Sequence, residues 1–234
     1  PAEVKKIDLI AKKHNLRVVY DAAHAFGVKL NNESILKFGD MSVLSFHATK
    51  TFNTVEGGAI ICKDLETKKQ IDFLKNFGFE NETTVNVAGI NAKMNELQAA
   101  FGLLQLKSID QDILNRKEVT EWYKKGLKDV DGINFLEDMN EVTHNYSYFP
   151  IFVNSQFQLS RDELYEKLKE NDIFGRRYFY PLISDFDMYK DLKSASPFLL
   201  KNARNIANSV ICLPIFSELD FISVSRILDV IKNS

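Results

Sequence analysis

Cysteine is nearly absent. The 234 residues hold only Cys62 and Cys212, far apart and without partners at metal spacing. That usage excludes a disulfide scaffold and suits a reducing compartment, so a cytoplasmic protein is expected. Histidine is scarce too: His14, His24, His47 and His144 show no ligand spacing among themselves or with cysteine, so no metal is expected. No G-x-G-x-x-G occurs, which leaves a nicotinamide site without support. Neither charge sign dominates, with 30 basic against 32 acidic residues, a net charge of -2 and no basic block. Nothing therefore argues for nucleic acid as a partner. No apolar run approaches the length of a membrane span, and no signal-peptide pattern precedes the first expected helix. The glycosylation-like triplets at 81–83 and 145–147 accordingly read as ordinary loop and strand text.

What is present is a chain 45% hydrophobic and long enough for a sizeable core. It opens "PAEVKKIDLIAKKHNLRVVYD", with no initiator Met and an amphipathic helix (about 2–14) already under way. Val4, Ile7, Ile10 and Ala11 form its apolar face, and Asn15 stands where it should stop. A helix feeding straight into an apolar strand looks like the middle of an α/β domain, so the sequence is expected to begin partway through a longer protein. Strands are expected at 16–20, 41–46 and 59–62, forming a mostly parallel sheet buried on both faces. A helix follows at 64–77, then a polar loop at 78–89. A long helix is expected from near Asn91, with Met94, Leu97, Phe101 and Leu104 as a core-facing stripe that continues, with shifts, through Ile109, Ile113, Val119 and Trp122. Such a helix can join two domains, here 1–110 and 111–234. Beyond it the pattern gives strands at 133–136 and 146–153. Helices follow at 160–171, with Ser160 as N-cap and Glu163 completing a capping box, and at 197–210 and 220–232. Strands and helices without strict alternation indicate a small α+β domain.

The chemistry gathers at strand ends. Asp21 and Ser45 each close an apolar run, so both should project from the carboxyl edge of the sheet, where open α/β folds bind ligands. Lys50 follows Ser45 closely enough to return to that edge. Alone, Asp21 is an ordinary turn former and Lys50 an ordinary solvated charge. Together they suggest a Schiff-base lysine beside an acid. Pyridoxal 5'-phosphate (PLP) needs such a set: a lysine for its aldehyde, an acid against its ring nitrogen and hydroxyl or backbone donors for its phosphate. Ser45 can begin the phosphate site, and His24 can lie near the ring.

The stretches "DAAHAFG" (21–27), "SFHATKTFNTVEGGAI" (45–60) and "AGINAKMNELQAAFGLLQL" (88–106) resemble the DegT/DnrJ/StrS family of nucleotide-sugar aminotransferases, fold-type I PLP enzymes. The likeness extends through "RRYFYPL" (176–182) and "CLPIFSEL" (212–219), which covers nearly the whole chain. It implies the C-terminal half of a fold-type I large domain over 1–110, followed by a small α+β domain over 111–234. By the resemblance, Lys50 would be the catalytic lysine and proton shuttle. Asp21 would pair with the pyridine nitrogen, His24 would lie beside the ring and Ser45 would bind the phosphate. Asn91, opening the long helix, would reach the phosphate of a neighbouring subunit. His47, Lys93 and Tyr178 fall in stretches that approach substrate in relatives.

Some relatives replace the lysine with histidine and dehydrate the sugar; Lys50 favours transamination. The implied reaction aminates a nucleotide-linked keto-deoxy sugar, dTDP-4-keto-6-deoxyglucose first and a 3-keto isomer second, with glutamate as donor, for surface polysaccharide. A homodimer is implied as well. Two features depart from the family. The N-terminal segment carrying a phosphate-cradling loop and a ring-stacking aromatic is not in this chain, and Ile183 stands where many relatives have histidine. The first departure keeps a second reading open, that of a catalytically incompetent fragment serving as a binding or assembly module.

Overall fold

The computed structural model describes all 234 residues. The chain divides into two compact units, Pro1–Gln111 with Met139–Asn145, and Asp112–Asp138 with Tyr146–Ser234.

In the first unit, α1 (Val4–His14) buries Val4 and Ala11 and ends at Asn15, whose left-handed backbone (φ 50°) turns its N–H back onto the last carbonyls. Asparagine tolerates that conformation better than most residues. Strand β1 (Val19–Asp21) starts later than the apolar run suggested, because the Leu16 N–H still bonds to Ala11 of the helix and the Val18 N–H goes to the Asp40 carboxylate. The short β2 (Lys29–Leu30) and β3 (Glu33–Ser34) pair with each other. Then come β4 (Met41–Ser45), β5 (Gly58–Cys62), α2 (Leu65–Leu74, capped by Asp64) and α3 (Glu96–Gln105).

The main sheet has the order β1-β4-β5. The β1–β4 ladder is parallel, as expected, with Asp21 beside Val43. The β4–β5 ladder is antiparallel, with Ser45 beside Gly58. The twelve-residue connection between those two strands holds no helix to make a parallel crossover. It is instead pinched shut where the Phe46 N–H meets the Gly57 carbonyl and the Thr54 N–H meets the Phe46 carbonyl. Nor are both faces buried: Val19 is 54% exposed, and Ile60 and Ile61 are exposed as well.

The expected long helix is two. The chain passes Asn91 in an antiparallel bridge with Asn76, so Asn91 does not open a helix. Asn95 does, in a capping box with Gln98. After α3, three-residue turns from Lys107 to Leu104 and from Ser108 to Gln105 break the helical ladder before α4 (Ile109–Leu127) begins. The apolar stripe is also not core-facing, for Leu97 is 84% and Leu104 61% exposed. The side of α3 that packs presents Gly102, where an added Cβ would come within 2.8 Å of Thr54 Cγ2. Periodicity reports an apolar face but not what covers it.

The second unit holds an antiparallel sheet in the order β6-β8-β9, from Ile133–Phe135, Phe149–Val153 and Val210–Leu213. Against it pack α4, α5 (Arg161–Glu170), α6 (Lys201–Ser209) and α7 (Phe221–Lys232), with Tyr123, Ile151, Leu164, Leu168, Ile211 and Ile231 fully enclosed. Ser160 and Glu163 do form the capping box, and α7 starts on Asp220. Strand β9 replaces the end of the helix expected to reach Val210; all four of its residues are buried, so no alternation marks it. Between β6 and β8 the chain leaves this unit as the strap Met139–Asn145, whose β7 (Val142–Thr143) pairs with β2 of the first unit.

Candidate functional site

Because β1 and β4 are parallel neighbours, their last residues, Asp21 and Ser45, leave the same edge of the sheet. After Asp21 the chain turns at once: its carboxylate accepts the Ala23 N–H (3.1 Å), and the Ala25 N–H returns to Ala22. That turn swings His24 toward the other strand's loop. After Ser45 the chain makes a compact loop, with the Lys50 N–H bonded to the His47 carbonyl. The loop is closed by Thr54, buried, whose hydroxyl donates to the Glu56 carbonyl at 2.7 Å. Gly57 follows with φ 151°, and a Cβ there would lie 2.4 Å from the Thr54 hydroxyl, so the loop closes only on glycine.

The two loops meet through aromatic rings and through polar groups. Phe26 stacks on Phe52 (centroids 4.4 Å apart, planes 12° apart), and Phe46 meets Phe52 edge-on. Beside this cluster, Lys50 Nζ lies 3.4 Å from His24 Nδ1. Both groups hold their protons less tightly than usual. Burial lowers the Lys50 pKa, while the negative charge of Asp21 opposes that effect. Burial also lowers the His24 pKa, with help from the Lys50 charge and against the pull of Asp21. The result is an amine that sheds its proton more readily than a surface lysine, next to an imidazole held toward its neutral form.

The structure thus brings Asp21, His24 and Lys50 together, with Ser45 and His47 on the same edge. Ser45 Oγ accepts the His47 N–H at 3.3 Å. The Thr49 N–H donates to His47 Nδ1, and Nε2 faces Glu56 at 3.6 Å. The other expected residues have different surroundings. Asn91 is bridged to Asn76, while Lys93 donates to Asn76 Oδ1 at 2.7 Å and lies over the Phe77 ring. Tyr178 belongs to the second unit, edge-on to Tyr148, in a segment where the Arg161 guanidinium stacks on Tyr180. Asn145 was not anticipated. It is 4% exposed and donates to the carbonyls of both His24 and Phe26 at 2.8 Å. Its sequence context, an Asn ahead of an aromatic run, carries no signal of that role.

Residues 1–232 match the DegT/DnrJ/EryC1/StrS aminotransferase family. The chain belongs to this family. Among its relatives are two dTDP-4-amino-4,6-dideoxy-D-glucose transaminases. The one from Shigella dysenteriae is 49% identical over 99% of this chain and 63% of its own length. The one from Escherichia coli is 46% identical over 94% of this chain and 60% of its own. The chain thus spans about three fifths of the length of these family members. Among solved structures, Helicobacter pylori PseC, an aminotransferase involved in pseudoaminic acid biosynthesis, superposes with a TM-score of 0.91 at 28% identity, over 99% of this chain and 62% of its own. DesI, solved in the presence of its TDP-sugar product, also reaches 0.91 at 29% identity, covering all of this chain and 59% of its own. The mixed α/β architecture is that of the PLP-dependent aminotransferases.

Proposed function

We propose that this family member takes part in a PLP-dependent transamination of a nucleotide-linked keto-deoxy sugar, with dTDP-4-keto-6-deoxyglucose as acceptor and glutamate as donor. The observation that carries the reading is the lysine at the carboxyl edge of a parallel strand pair, its amine partly desolvated, 3.4 Å from a histidine and within the field of a strand-end aspartate. Two relatives nearing half identity, each named as a dTDP-4-amino-4,6-dideoxy-D-glucose transaminase, support the choice of sugar and of C4 over C3.

The residues present fit the cofactor. Lys50 would hold its aldehyde carbon, Asp21 would face the ring nitrogen, His24 would lie beside the ring and Ser45 would donate to the phosphate. When bound, the group supplies an electron sink that acidifies the carbon–hydrogen bond next to the transferred nitrogen. The protein's share is proton handling and placement. The lowered pKa of Lys50 makes its neutral, nucleophilic form available nearer neutral pH. The Lys50 amine would also be the group that takes up a proton during the transfer and gives it back. A largely neutral His24 can exchange a proton with Lys50 without adding a second positive charge. His47, oriented by Thr49 and Glu56, would serve the substrate together with Lys93 and Tyr178, and Asn91 would serve the cofactor phosphate across a homodimer. The first unit would be part of the cofactor-binding large domain and the second the small α+β domain. The cytoplasm suits such a reaction, and no helix is long and apolar enough to cross a membrane.

The test is a product assay with dTDP-4-keto-6-deoxyglucose, its 3-keto isomer and glutamate. The reading expects the 4-amino sugar and 2-oxoglutarate in equal amounts. Turnover of the 3-keto isomer alone would move the site of amination, and dehydration without nitrogen transfer would overturn the reading.

A further inference from the structure

Asn145 is the last residue of the strap that joins the first unit, and its side chain is enclosed. Both hydrogens of its amide are spent on one short stretch: Nδ2 donates to the His24 carbonyl and to the Phe26 carbonyl, each at 2.8 Å. These two carbonyls flank Ala25, at the crest of the turn that follows β1. The turn ties its own N–H groups, from Ala23 to the Asp21 carboxylate, from Ala25 to Ala22 and from Val28 to Ala25. Its His24 and Phe26 carbonyls are met from outside, by Asn145. Each of those two residues touches the Lys50 loop, His24 through the 3.4 Å approach to Lys50 Nζ and Phe26 through its stack on Phe52. One amide therefore braces both contacts between the two loops of the site.

We propose that Asn145 is a positioning residue, which by its paired hydrogen bonds to the backbone of His24 and Phe26 holds the imidazole against the Lys50 amine. Removing the amide leaves two carbonyls without this donor and frees the turn to relax away from Lys50. Its consequence for transamination rests on the proposed role of Lys50. The bracing itself does not, and it is read without cofactor.

The experiment follows the His24 ring by NMR in cofactor-free protein labelled at histidine. Native protein is compared with Asn145→Ser, which keeps one donor, and with Asn145→Leu, which keeps the volume, removes both donors and adds no charge. Leu168→Ala, in the core of the second unit and away from this turn, is the control for lost stability alone. Among the charged groups acting on His24 are Lys50, from the loop after β4, and Asp21, at the end of β1. In the native protein His24 titrates below the ordinary histidine value, held there first by burial and then by Lys50. Released from both, it titrates higher, further in Asn145→Leu than in Asn145→Ser, while Leu168→Ala leaves the midpoint in place. An unchanged midpoint in the folded Asn145 variants overturns the proposal. So does failure of both variants to fold, which would assign Asn145 to stability alone. A shifted midpoint in a protein whose Lys50 takes no cofactor would uphold the bracing while removing the proposed function.

Discussion

At Lys50 two effects pull in opposite directions. Burial lowers the pKa of the amine and the Asp21 carboxylate raises it, and burial is the larger cause. Replacing Asp21 with Asn removes the opposing charge, so Lys50 should lose its proton at a still lower pH. Nucleophile availability therefore gives no reason for an aspartate at this position; the proposed pairing with a pyridinium nitrogen would give one. Asp21→Asn is expected to leave the fold intact and lower turnover on the order of 10²-fold, the usual scale for losing one preorganised charge at a reacting centre. Steady-state kinetics over a pH series check this, and turnover within twofold of native would remove Asp21 from the cofactor. The shared sheet edge of Asp21 and Ser45 was legible in the sequence because each closes an apolar run, and Lys50 follows Ser45 within five residues. Asn145 was not: its partners lie far away in the chain, and only the folded strap brings them within 2.8 Å.

Among the elements, the starts of α2, α5 and α7 were readable because their caps are local chemistry, while α3 and α6 begin later than the pattern suggested. In α5 the Ser160 hydroxyl accepts the Glu163 N–H, and the Glu163 carboxylate accepts the Ser160 N–H at 2.7 Å. Ser160→Ala should destabilise the protein by about 1 kcal/mol, read as a lower denaturant midpoint with an unchanged slope. The Glu163 half of the box is pH-dependent. Its pKa is lowered by the Ser160 backbone N–H, so its contribution is present above the ordinary Glu value and disappears as pH falls through the lowered one. Tertiary context decided what the sequence left unreadable. The break between α3 and α4 is made by three-residue turns at Lys107 and Ser108, in a stretch without glycine or proline after Gly102. Strand β9 is buried along its whole length, so its pattern could not separate strand from helix. The antiparallel return of β5 follows from the closed loop that carries Lys50, which a strand-by-strand reading does not reveal.

For the molecule as a whole, two self-contained cores and a strap make up a chain that spans about three fifths of the length of its family members. The side chains of Leu97 and Leu104 on α3 are exposed, an apolar face that the proposed homodimer would bury. The fold class was legible from the sequence, and the partners of that face were not, because an apolar stripe has the same period whatever it meets. The account stands on one covalent assignment. The measurement that tests it most directly is borohydride reduction of the protein incubated with PLP, followed by peptide mass spectrometry. The account predicts a single pyridoxyl-modified lysine at Lys50, with the visible absorbance of the bound cofactor lost in Lys50→Ala. Modification at another lysine, or the same absorbance in Lys50→Ala, would contradict it.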